Sequence, residues 1–140
     1  MSRLVAFLRG INLGDRRVTN DELRSHFEDL GLEGVSPFLA SGNVIFDAPG
    51  TEHGSLEETI EAHLEDALGF VVRTFVRPLD DLHRLIGLDF VSSAPADVNV
   101  YVTFLREAAD DGVDARLTEL ETPDDRFRVE GREVVWLRRG

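Results

Sequence analysis

The sequence predicts an α+β fold, and three observations carry the expectation. Short apolar runs alternate with amphipathic stretches, Gly- and Asn-bearing turns separate them, and Ser/Thr-x-x-Glu pairs stand where helices should start. Leu4 to Leu8 is uninterruptedly apolar, which in so short a run means a strand covered on both faces and central in its sheet. Thr19 and Glu22 form a capping box, and Leu23, Phe27 and Leu30 recur at helical spacing until Gly31. Phe38 to Ala40 and Val44 to Phe46 flank Ser41-Gly42-Asn43, a hairpin tip whose Gly and Asn tolerate positive φ. Ser55 and Glu58 make a second capping box; Leu56, Ile60, Leu64 and Leu68 line one face of the helix that follows, and Glu57, Glu61 and Glu65 avoid it. Val71 to Val76 reads as the fourth strand. Pro78 opens a short helix with Leu79, Leu82 and Ile86 inward, and Gly87 stops it.

The stretch 88–97, with Pro95 and two serines, is the linker candidate, so the expected domains are 1–87 and 98–140. Beyond it Val98, Val100, Val102 and Phe104 alternate with polar residues, the signature of a strand with one buried face. Val113, Leu117 and Leu120 mark a further helix, and Phe127 to Val129 with Val134 to Leu137 form a second hairpin at Glu130-Gly131. The first half thus reads βαββαβ, the pattern of a ferredoxin-like sheet, and the second is an incomplete βαββ unit. An internal echo links them: Val5-Ala6-Phe7-Leu8-Arg9 resembles Val102-Thr103-Phe104-Leu105-Arg106.

Composition narrows the chemistry. There is no cysteine, which removes disulfides, thiolate metal sites and cysteine nucleophiles, and the sequence fits a cytoplasmic protein. Its formal net charge is −12 and every basic residue is an arginine. That acidic balance suits a salt-adapted cytoplasm or a GC-rich genome alike; it opposes nucleic acid and anionic membranes, so nucleic acid is an unlikely partner. The apolar run at the N-terminus is too short to span a bilayer.

Right-handed crossovers in a ferredoxin-like sheet bring the exit of strand one, the start of helix one and the hairpin tip to the same end. Arg9, Gly10, Asn12, Arg16, Arg17, Ser41, Gly42 and Asn43 are therefore the candidate ligand-binding residues, and a small anion is the ligand their chemistry suits. The same residues also serve as turn formers and solvated strand ends, and Thr19 and Glu22 compete for the helix donors that an anion would use.

Those residues carry a resemblance. A first strand ending Arg9-Gly10-Ile11-Asn12, the phrase Ser41-Gly42-Asn43-Val44-Ile45-Phe46, then Val102 to Leu105 and the hairpin from Asp125-Arg126-Phe127 to Trp136 together resemble the domain of unknown function 1697 family, over nearly the whole chain. The resemblance implies an α+β fold with ferredoxin-like parts and no assigned activity. It also implies a basic C-terminal helix and strand beyond the counterpart of Trp136, where this sequence stops at Gly140. Val134 to Leu137 is apolar on both faces, so the expectation is a homodimer through this strand, the alternative being that it lies inside the chain's own core.

His26, His53, His63 and His83 show no HExxH-type spacing, and His63 falls on the apolar stripe of helix two, where a satisfied boundary histidine is the simpler reading. No metal site and no cofactor are expected. Phosphate loops, nucleophile elbows and GxGxxG turns are absent. Three readings stay open: an anion-binding domain, a homo-oligomeric interaction or scaffold protein, and an enzyme of unknown reaction using Arg9 and Ser41.

Overall fold

The computed structural model describes residues 2–12, 17–38, 42–48 and 53–139, which form two compact units, Met1–Leu82 and His83–Gly140. In the first unit strand β1 (Ser2–Arg9) is followed by helix α1 (Asn20–Asp29), the hairpin β2 (Glu33–Phe38) and β3 (Asn43–Ala48), helix α2 (His53–Leu68) and strand β4 (Arg73–Pro78). The sheet order is β2-β3-β1-β4, with β1 antiparallel to both neighbours, which is the ferredoxin-like arrangement.

The pleat of β1 decides what each face carries. Leu4, Ala6 and Leu8 enter a core with Leu23 and Phe27 of α1, Ile60 and Leu64 of α2, and Val44, Phe46 and Val76 of the neighbouring strands. The Phe27 and Phe46 rings lie 5.5 Å apart at its centre, both fully buried. Truncating either to Ala would cost about 3–5 kcal/mol. The capping box at α1 forms as its sequence predicts: Glu22 N–H donates to Thr19 Oγ1 at 3.1 Å while the Glu22 carboxylate reaches back to Thr19.

The second helix departs from its sequence reading in two ways. It starts at His53, so Ser55 lies inside the first turn, where its carbonyl accepts from Thr59 Oγ1, and it is no N-cap. Glu57 does not avoid the interior. Buried with 1% of its surface exposed, its Oε2 accepts from Val76 N–H at 2.8 Å and from Arg77, itself fully buried, at 3.3 Å. One turn on, Glu61 Oε2 accepts from Thr74 N–H at 2.8 Å. Thr74 and Val76 turn their N–H groups away from β1, toward the outer edge of the sheet. Two glutamates spaced four apart on a helix match donors spaced two apart on a strand, and so close an edge that would otherwise invite another chain.

Strand β4 runs through Pro78, so proline ends the strand and helix α3 (Leu79–Ile86) begins after it. Within α3 the buried residue is Leu85, whereas Ile86, expected inward, is 65% exposed. The stretch 88–97 holds a one-turn helix, α4 (Asp89–Ser92).

The second unit continues with β5 (Val98–Phe104), α5 (Asp111–Glu119), β6 (Asp125–Glu130) and β7 (Glu133–Arg139), in sheet order β5-β7-β6. Its last strand lies between the other two, as β3 lies between β1 and β2, so the unit repeats the first four elements of the first. The echo extends to hydrogen bonds: Leu8 N–H donates to Gly42 O at 2.9 Å, and Leu105 N–H donates to Arg132 O at 2.7 Å. Strand β5 lacks the buried face its alternation predicts. Val100, Tyr101 and Val102 are 42%, 46% and 37% exposed. The reason is the incomplete repeat: among the described residues this unit has no counterpart of α2 and β4 to cover β5.

Candidate functional site

Strand β1 ends at Arg9, and Gly10 follows with φ +70°, which turns the chain over the sheet end. Ile11 then drops into the core, 2% exposed. Asn12 Oδ1 accepts from Val18 N–H at 2.7 Å, tying the start of the loop to the residue before the α1 cap. Gly42, at φ +81°, packs against this exit; a Cβ there would stand 2.7 Å from Ile11 Cγ2 and 3.1 Å from Leu8 O. Its glycine identity is thus explained by close approach of the hairpin tip to the β1 exit. Arg16 and Ser41 lie outside the described residues.

The predicted residues divide between two levels. By the pleat, Arg9 shares a face with Phe7, Val5 and, across β3, Asn43, the partner of Phe7 in register. This is the face turned away from α1 and α2. Asn12 and Arg17, both exposed, lie between β1 and α1. The α1 start is capped by Thr19 and the Glu22 carboxylate, which take up the Glu22 and Thr19 N–H groups.

A residue absent from the sequence reading joins Arg9. In the β1–β4 register Arg9 stands directly opposite Arg73, one step beyond the Phe7–Phe75 pair. Both arginines are exposed, and neither side chain makes a hydrogen bond or ion pair with another described residue. Like charges at opposed positions repel, by about 0.2–1 kcal/mol. Elsewhere arginines find acids: Arg3 meets Asp47 at 3.1 Å, Arg126 meets Glu121 at 3.2 Å and Arg128 meets Glu130 at 2.9 Å. Only the exact register reveals Arg73; the signal in the sequence was an arginine opening a strand that must run antiparallel to one ending in arginine.

The second unit offers a cleft of about 400 Å³ lined by Phe90, Pro95, Val98, Pro123, Leu137 and Arg139. Arg139 there faces Asp97 at 3.8 Å. On the other face of the same sheet Tyr101, Trp136 and Phe127 stack in register, with ring centroids 4.9 and 6.0 Å apart. Asp125 anchors this ladder: its carboxyl is held below the ordinary aspartate range first by the hydrogen bond from Thr122, then by that from Trp136 Nε1, with Arg138 adding its charge.

A family model described as "Protein of unknown function (DUF1697)" matches residues 1–135. The chain belongs to this family. A solved structure agrees with the assignment: that of the conserved bacterial protein SP0830 from Streptococcus pneumoniae is similar over 99% of this chain and 78% of that one, with a TM-score of 0.76 and 28% identity. No curated protein matches the sequence. In this DUF1697 chain, none of the described helices is long and apolar enough to cross a membrane.

Proposed function

We propose that this DUF1697 chain binds a small anionic molecule, one bearing phosphate or carboxylate, at the end of the first sheet. Arg9 and Arg73 supply the charge. Asn43 stands on the same face, Gly10, Asn12, Arg17 and Gly42 lie near the same sheet end, and Arg16 and Ser41 join them by sequence alone. One observation carries the reading: two arginines opposed in register, with no acid on either among the described residues, in a chain of net charge −12. An anion bound between them converts a repulsion into two charge-assisted hydrogen bonds, and the half-buried Phe7 and Phe75 beside them give a ligand an apolar flank.

The test is thermal unfolding with phosphate, pyrophosphate and citrate, each against sodium chloride of matched ionic strength. The wild-type midpoint rises by several degrees at saturating anion, and Arg9→Ala and Arg73→Ala each lose that rise. Without anion, Arg73→Ala is neutral or slightly stabilising, because it removes the like-charge contact. An anion response that survives in both variants overturns the reading.

The second reading is self-association, favoured by the exposed apolar residues of β5. The expected contact through Val134 to Leu137 takes a different form: β7 is hydrogen-bonded on both edges, so a second copy would meet the outer edge of β5 instead.

A further inference from the structure

Helices α1 and α2 bring together three metal-ligating side chains that the proposed anion site does not use. His26 and Asp29 stand three apart on the last turn of α1, and His63 faces them from α2. One donor atom from each lies within 4.8 Å of the other two. The His26 and His63 rings meet edge to face, centroids 5.7 Å apart and planes inclined by 68°. His63 Nε2 is buried, and it has no hydrogen-bond partner among the described residues. A buried ring nitrogen without a partner is uncommon in folded proteins and calls for a missing water or ion. The expectation of a satisfied boundary histidine leaves this atom unexplained.

We propose that His26, Asp29 and His63 form a divalent transition-metal site that joins α1 to α2. Two imidazoles and one carboxylate suit zinc and its first-row neighbours, whereas magnesium and calcium prefer oxygen donors throughout. Around a tetrahedral zinc with bonds of about 2.0–2.1 Å, donors sit about 3.3 Å apart. The three groups therefore draw inward by rotamer adjustment, which half-exposed His26 and exposed Asp29 permit. The fourth position falls to water. Since the ligands come from two helices packed on one sheet, the ion binds the folded unit and stabilises it.

The experiment uses the full chain without a polyhistidine tag, stripped with chelator and desalted. Zinc chloride is titrated calorimetrically and its effect on the thermal midpoint is followed; cobalt serves as a spectroscopic probe. The wild type takes up one zinc per chain and its midpoint rises, cobalt gives the visible bands of a tetrahedral site, and magnesium does neither. His63→Ala, His26→Ala and Asp29→Asn each weaken zinc binding by at least about tenfold. Should His63→Ala fail to fold, the other two, at more accessible positions, decide. No saturable zinc binding by the wild type, an equal response to magnesium, or undiminished zinc binding by both His26→Ala and Asp29→Asn overturns the proposal.

Discussion

Glu57 illustrates how a single side chain can be misread from helical spacing. A helical wheel sets it beside the apolar stripe of α2 and has no term for the strand edge that the helix flanks. In the folded unit its carboxylate satisfies Val76 N–H and neutralises Arg77, both out of reach of water. The two partners are not equivalent. Glu57→Ala withdraws the acceptor of both Val76 N–H and Arg77, whereas Arg77→Met leaves the Val76 bond in place. Glu57→Ala therefore destabilises by about 3–5 kcal/mol, and Arg77→Met and Glu61→Ala, which takes the acceptor from Thr74 N–H at a half-buried position, by clearly less, as read from urea midpoints. Equal losses for Glu57→Ala and Arg77→Met would show that the pair contributes through packing rather than charge. Arg73 was missed for a related reason: its importance depends on pairing register with Arg9, which residue types alone do not fix.

At the level of elements, most of the fold was legible because local and long-range signals agree there. The apolar run of β1 and the Thr19 box each specify one structure, and crossover handedness then leaves one strand order; the strand expected at Phe38 to Ala40 lies earlier, at Glu33–Phe38, with 39–41 outside the described residues. Strand β5 shows where such reading ends. Alternation says that one face of a strand is meant to be covered; it does not say by what. Val100 and Val102 stay half-exposed opposite the buried Leu137 and Val135, because the repeat that would supply a flanking strand and helix is absent from the described residues. An apolar edge strand of this length is a pairing template. Light scattering across a concentration series should show a dimer, and Val100→Lys with Val102→Lys should return it to monomer without loss of the unfolding transition. A monomeric mass at every concentration refutes pairing through β5.

For the whole chain, charge sets the dominant condition dependence. Surface pairs such as Arg3–Asp47 are weakened by salt, but each contributes only about 0–1 kcal/mol. Against them stand twelve uncompensated negative charges on 140 residues, whose mutual repulsion favours the expanded chain. The buried Glu57–Arg77 pair is little affected, since screening acts on charges that water reaches. Raising sodium chloride from about 0.1 M to 1 M shortens the screening length from about 10 Å to 3 Å, which removes repulsion between distant carboxylates more completely than attraction within pairs in contact. The thermal midpoint should therefore climb with sodium chloride and level off as the repulsion is screened. A variant with several exposed glutamates changed to glutamine should begin higher and gain less from the salt. A midpoint that falls with salt would mean that the arginine–carboxylate pairs outweigh the excess negative charge, and that the acidic balance is carried at no cost to the folded state.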